Sequence, residues 1–187
     1  MKYKNLSLAA ALAVGVFFLS GCATSVEDEF AFGSSRVSCA GKTVTVELPF
    51  PLGVNGAMAE AAPRNVSTVN AEGRNAYMQV LVMGDAGETD IRAAAAKADA
   101  GLRGSTAVSN LKASTDMVTI DGAEAVRLTY SFTDTERGRS APLTIQEYIV
   151  AKDGVLWRVI YQYRSDNETG RALGERVAGK IRFGAHF

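Results

Sequence analysis

The chain has 187 residues and carries 20 Lys and Arg against 20 Asp and Glu, a formal net charge of zero. That length suits one domain with a sizeable core, and the balanced charge gives no basic surface to hold nucleic acid or a membrane electrostatically. One histidine and two cysteines leave little from which to build a transition-metal site or a disulfide framework.

The chain opens with a positive segment, Lys2 and Lys4, followed by an apolar run from Leu6 to Leu19 rich in Ala, Val, Leu and Phe. At about fourteen residues the run matches a secretory h-region and is short for a transmembrane helix. It closes on Leu19-Ser20-Gly21-Cys22 instead of an Ala-x-Ala-like cleavage site. This stretch resembles a bacterial lipobox. The resemblance implies cleavage between Gly21 and Cys22, a thioether-linked diacylglycerol on Cys22, and often an acylated amine, for example by palmitate. The competing readings are an internal hydrophobic helix or an unlipidated signal with an incidental cysteine. One acyl chain binds a bilayer only marginally, but two or three make a stable anchor. Ala23 follows the cysteine where Asp would signal inner-membrane retention. In a diderm bacterium that implies a cell-envelope protein on the outer membrane, facing the periplasm.

Cleavage would leave residues 22–187 and remove two lysines, so the mature chain is slightly acidic. With Cys22 consumed by lipid, Cys39 has no intramolecular disulfide partner. Its setting, Val37-Ser38-Cys39-Ala40, favours burial as a small hydrophobe over a reactive thiol. Residues 22–35 read as a lipidated tether reaching about 40 Å when extended. Phe30 and Phe32 are left either to dock on the domain or to dip into the bilayer interface.

A single globular domain is expected over residues 36–187. Thr43–Leu48 alternates, with Val44, Val46 and Leu48 on one face, and Pro49 and Pro51 end the strand. Residues 52–64 read as a loop or an irregular helical turn. Two strands follow, Val66–Asn70 and Ala76–Met83, and Gly84–Gly87 breaks the second. A helix is predicted from Thr89 or Asp90 to Arg103, with Ile91, Ala94, Ala95, Ala98 and Leu102 on one stripe and Gly104 as its stop. Residues 111–120, the turn Asp121-Gly122, and Ala123–Thr133 form a hairpin in which Val126, Leu128, Tyr130 and Phe132 share a face. A loop over 134–140 precedes a strand at 142–151, the turn Asp153-Gly154, and a strand at Val155–Tyr163. The final helix is expected from Asp166 to about Arg182, opened by a Ser165–Glu168 capping box and facing inward through Leu173, Val177 and Ile181. Gly170, Gly174 and Gly179 within it point to close approach of another backbone. The class is α+β: an antiparallel sheet of about five to seven strands, a hairpin meander, packed by helices.

This order of elements, with Thr43–Leu48 ending at Pro49, the turns Asp121-Gly122 and Asp153-Gly154-Val155-Leu156-Trp157, and the ending Ile181-Arg182-Phe183, resembles the PsbP-like fold. That fold is an α/β/α sandwich, found in photosystem extrinsic proteins, a Ran-binding family and DcrB-type envelope lipoproteins. The resemblance spans residues 36–184 and implies an accessory or binding protein without its own catalytic centre. It brings no motif from which site residues could be carried over.

The residues themselves offer little chemistry. His186 is the only histidine and sits one residue from the C-terminus, beyond the last helix, where general-base or triad chemistry would lack an ordered partner and an enclosed site, so no catalytic residues and no metal ligands are assigned. Glu27-Asp28-Glu29 and Asp85, Glu88 and Asp90 lack the spaced oxygens of an EF-hand and read better as a solvated segment and a helix N-terminus. Two candidate sets remain. Arg127, Arg137, Arg139 and Arg158 either form a cationic patch for an anion or an acidic partner, or pair with Glu124, Glu136 and Glu147 as an ordinary surface. Trp157, Tyr161 and Tyr163 either line a ligand groove or form a core stripe. The sequence therefore points to a lipid-anchored envelope protein, non-enzymatic, without cofactor beyond the covalent lipid on Cys22. Its expected contacts are the membrane and an envelope protein partner; a small-ligand or lipid carrier with a groove between sheet and helices is the alternative.

Overall fold

The alternating stretch around Thr43–Leu48 forms strand β2 (Lys42–Leu48) in the computed structural model, which describes residues 25–54, 68–135 and 140–184. Val44, Val46 and Leu48 are all buried. Gly21, Cys22, Arg137, Arg139 and His186 lie outside the described residues, as does most of the 52–64 segment. β1 (Gly33–Cys39) folds back antiparallel onto β2 through Ala40-Gly41, and β10 (Ile181–Phe183) pairs with the opposite edge of β2, making a three-stranded sheet.

The larger sheet has seven strands, all antiparallel, in the order β3-β4-β5-β9-β8-β7-β6. They are β3 (Gly53–Val54), β4 (Thr68–Arg74), β5 (Met78–Asp85), β6 (Val108–Ile120), β7 (Ala123–Asp134), β8 (Ala141–Lys152) and β9 (Val155–Arg164). Its meander is set by two tight turns. Asp121 and Gly122 (φ 48° and 78°) and Asp153 and Gly154 (φ 52° and 81°) all take positive φ, the conformation whose twist matches antiparallel partners. The β4–β5 connection falls later than the pattern suggested, because the Asn75 Oδ1 accepts the amides of Tyr77 (2.9 Å) and Met78 (2.7 Å) and makes the turn there.

Each face of this sheet has its own core. Val126, Leu128, Tyr130, Phe132, Ile149 and Leu156 meet helix α2 (Ile91–Arg103) through Ile91, Ala94, Ala95, Ala98 and Leu102, as the helical spacing predicted. On the other face, Trp157, Val159, Tyr161 and Tyr163 of β9 and Met78, Val80 and Val82 of β5 pack against the three-stranded sheet and helix α3 (Glu168–Val177). The protein is thus α+β, mostly antiparallel sheet, in three layers: α2, the seven-stranded sheet, then the small sheet with α3. Bringing those layers together requires small residues. A Cβ on Gly84 would lie 2.7 Å from the Cys39 Cβ and 2.8 Å from the Trp157 ring, so Gly84 sits inside β5, where the sequence suggested a break.

Three expectations change. The last helix ends at Val177, not near Arg182, because Gly179 turns the chain with φ +75° and Ile181 enters β10. Its cap is Asn167, whose Oδ1 accepts the Gly170 amide at 2.7 Å; the Ser165 hydroxyl instead meets Thr144 Oγ1 at 2.7 Å. Within the expected tether, Val26–Glu29 is a short helix, α1, the β1 strand starts at Gly33, and Phe30 and Phe32 pack on the core. Apolar contact settles the alternative for those two rings.

Candidate functional site

Of the four arginines, Arg127 and Arg158 are among the described residues, and these two do not share a face. In antiparallel pairing, residues directly opposite share a face, and successive residues alternate. Arg127 lies opposite Tyr148, and Arg158 lies opposite Ile149. Tyr148 and Ile149 are consecutive, so the two arginines emerge on opposite faces of the seven-stranded sheet. Arg127 donates to Asp116 Oδ2 on the neighbouring strand at 3.0 Å. Arg158 donates from Nε to Glu147 Oε1 at 2.5 Å, and that carboxylate is 4% exposed. Burial of Glu147 makes its pairing with Arg158 a requirement of the fold, since an unpaired buried carboxylate is costly.

The aromatic set is core. Trp157, Tyr161 and Tyr163 are 1%, 0% and 6% exposed and lie between the sheets. Tyr161 stacks edge-on to Tyr148 at 6.1 Å, and burial pushes its hydroxyl far above the usual tyrosine range. Cys39 is likewise buried, beneath Gly84.

The acidic groups serve helix ends. Asp90 Oδ1 accepts the amides of Arg92 (3.0 Å) and Ala93 (2.9 Å) as the cap of α2. Glu88 Oε1 accepts those of Thr89 and Asp90, both at 2.9 Å. Asp28 Oδ2 accepts the Ser25 amide and hydroxyl at the start of α1. Among the described residues no three His, Cys, Asp or Glu side chains stand close enough to hold a metal ion.

Two arrangements were not legible in the sequence. The first is a cleft of about 290 Å³ between α2 and the β5–β9 part of the sheet. Met83, Ala94 and Leu156 line it with apolar atoms, and Lys97, Asp85, Glu88 and the Glu147-paired Arg158 line it with charge. Such a cleft can seat a small molecule with an apolar body and charged ends, though its volume is at the low end for ligand sites. The second is a clamp centred on Arg176 of α3. Its Nε donates to Glu27 of α1 at 2.5 Å, its Nη2 to Glu47 of β2 at 2.8 Å, and its guanidinium lies 4.5 Å over the Phe32 ring. One side chain thereby joins the N-terminal segment, the small sheet and α3. Beside it, the Phe30 ring meets Tyr77 edge-on at 6.0 Å.

No family model matches the chain, and no curated protein matches it in sequence. Among solved structures, it is similar to the crystal structure of LpqN, a Mycobacterium tuberculosis protein involved in cell envelope biogenesis. The TM-score is 0.50 at 11% identity, covering 86% of this chain and 98% of LpqN. At that identity the likeness is one of fold.

Proposed function

We propose that this protein is a lipid-anchored cell-envelope lipoprotein, processed between Gly21 and Cys22 and diacylated on Cys22, whose domain acts as a non-enzymatic accessory or protein-interaction module. The observation that carries this reading is the run Lys2, Lys4, Leu6–Leu19 and Leu19-Ser20-Gly21-Cys22, with helix α1 beginning at Val26 soon after it. Its fold likeness to LpqN, itself involved in envelope biogenesis, supports the envelope setting. The helix-on-sheet layers support the PsbP-like, DcrB-like resemblance, whose members act by binding. Among the described residues no helix is long and apolar enough to cross a membrane, so in this reading the lipid supplies the attachment. With Ala23 after the cysteine, the reading places the protein on the periplasmic side of the outer membrane in a diderm cell. Nucleic acid is not a proposed partner, and no cofactor is invoked.

The test is direct. Cys22→Ser moves the protein from the membrane to the soluble fraction, and unchanged membrane retention refutes the anchor. Crosslinking and affinity capture of the lipidated form from intact cells recovers an envelope protein. The α2 cleft, lined by both apolar and charged side chains, favours one second reading, a small-ligand carrier. Recovery of a retained small molecule by mass spectrometry, with no captured protein, selects it.

A further inference from the structure

We infer that the cleft between α2 and the β5–β9 part of the sheet takes a dipeptide with an apolar side chain, its ammonium at the Asp85 end and its carboxylate at the Lys97 end. The inference rests on the small-ligand reading of this cleft and names the ligand class which that reading leaves open. Its first ground is the order of charge along the cleft. Residues paired across antiparallel strands share a face and fall in one row. Asp85 and Leu156 form such a row, and Met83 and Arg158 form the next one on that face, about 6.6 Å along the strands. Arg158 is drawn still further from Asp85, because Glu147, to which it donates, lies opposite Ile160, another repeat along. Helix α2 runs in the same sense. Arg92 reaches Glu124 at 3.8 Å, and Glu124 extends the row of Ala151, Leu156 and Asp85. Lys97 comes five residues later, about 7.5 Å along the helix axis, and shares the cleft-facing side with Ala93 and Ala94. Acids therefore stand at one end, where Glu88 joins Asp85, and bases at the other.

The second ground is which of these groups are unmet. Arg158 is committed to Glu147, and Glu88 to the amides of Thr89 and Asp90. The side chains of Asp85 and Lys97, by contrast, have no hydrogen-bond or ion-pair partner among the described residues. Asn70 stands directly opposite Met83 and two residues from Thr68, both of which line the cleft. It is 4% exposed, and its Oδ1 meets no donor. A buried acceptor left unmet is costly, and the N–H of a peptide bond lying over Met83 supplies the donor. Length then selects the ligand. A free α-amino acid holds both charges within one residue and cannot span the two ends, whereas two residues extend to about 7 Å. Met83, Ala94 and Leu156 seat the apolar side chain, and a volume of about 290 Å³ suits a ligand of this size.

Isothermal titration calorimetry on the full-length protein in dodecyl maltoside micelles tests this. Alanyl-leucine is expected to bind, and leucine, N-acetyl-alanyl-leucine and alanyl-leucine amide each to bind at least tenfold more weakly. Asp85→Asn should weaken alanyl-leucine at least tenfold while leaving the N-acetyl form unchanged. Lys97→Met should weaken alanyl-leucine as much while leaving the amide form unchanged. Neither substitution is expected to move the urea midpoint, which separates lost binding from lost fold. Equal affinity for the free and the blocked dipeptides overturns the assignment, and so does binding that neither substitution alters. If alanyl-leucine does not bind while the purified protein retains a small molecule of another class, the dipeptide is overturned and the carrier reading stands. If nothing binds and nothing is retained, both fall.

Discussion

Gly174 shows how tightly a single position is constrained. An added Cβ there would lie 2.5 Å from Tyr163 Cε1 and 2.8 Å from its Cδ1, inside any tolerable contact. Alanine should raise helix propensity by up to about 1 kcal/mol, but overpacking against a buried ring costs about 1–3 kcal/mol. The ring cannot retreat, because Tyr163 is buried between α3 and the sheet. Gly174→Ala is therefore expected to destabilise, read as a lower urea midpoint, and a higher midpoint would refute the close approach. Tyr130 makes a second prediction. Burial, with Asp99 nearby, pushes its hydroxyl to about 12. The folded state thus keeps a proton that the unfolded chain gives up near pH 10. Stability is full below about pH 10 and falls as pH rises toward 12, by at most about 1.4 kcal/mol per pH unit for this group. Urea midpoints taken between pH 8 and 11.5 should show that decline, and Tyr130→Phe should make it shallower while the raised hydroxyl of buried Tyr161 keeps part of it.

Among the elements, α1 is the one that could not hold itself. Four residues cannot nucleate a stable helix in water, so α1 exists because Arg176, Phe30 and Phe32 hold it against α3 and the core. Arg176→Ala should release residues 25–32 while leaving the sheets folded. The expected signs are rapid amide exchange and early proteolysis confined to that segment; protection as in the wild type would show that the clamp is not what orders it. The same physics explains which elements the sequence revealed. α2 and the β6–β9 meander were legible because their apolar residues repeat at 3.6 or at 2, and because Asp-Gly pairs mark the turns. β10 was hidden because Ile181 continues the Leu173, Val177 spacing and points inward whether the chain is helix or strand. α1 and β1 were hidden because their packing depends on Arg176 and β2, far off in sequence. The separation of Arg127 from Arg158 was hidden for a related reason. Alternation turns each arginine away from the apolar stripe of its own strand, but the Val126 and Trp157 stripes face opposite ways, and only the inter-strand register reveals that. The α2 cleft needed the packing of Lys97 near Arg158, which periodicity does not encode.

At the scale of the whole molecule, the seven-stranded sheet has two unequal ends. β3 is only two residues long, whereas β6 runs for thirteen as an outer strand with an open row of backbone donors and acceptors. A long outer strand invites pairing with a second chain unless something spoils the match. Here two features do so. The β6–β7 register shifts between Ser109 and Lys112, around Asn110 with φ +55°, which bends the strand. Beyond the shift, Lys112 and Asp116 project from one face with Ser114 between them, so on that face a second copy of β6 laid alongside would meet charge and hydroxyl, while exposed Met117 lies on the other face. Asp116 is tied to Arg127, which leaves Lys112 and Ser114, both exposed, as the replaceable guards. Lys112→Val with Ser114→Val should leave the fold and its circular dichroism unchanged, because neither side chain is part of a core. It should nevertheless produce concentration-dependent self-association, seen as light scattering or an earlier elution volume at tens of micromolar. If the double variant stays as dispersed as the parent, the bend at Asn110 alone is enough to protect the strand, and deleting that residue becomes the change expected to expose it.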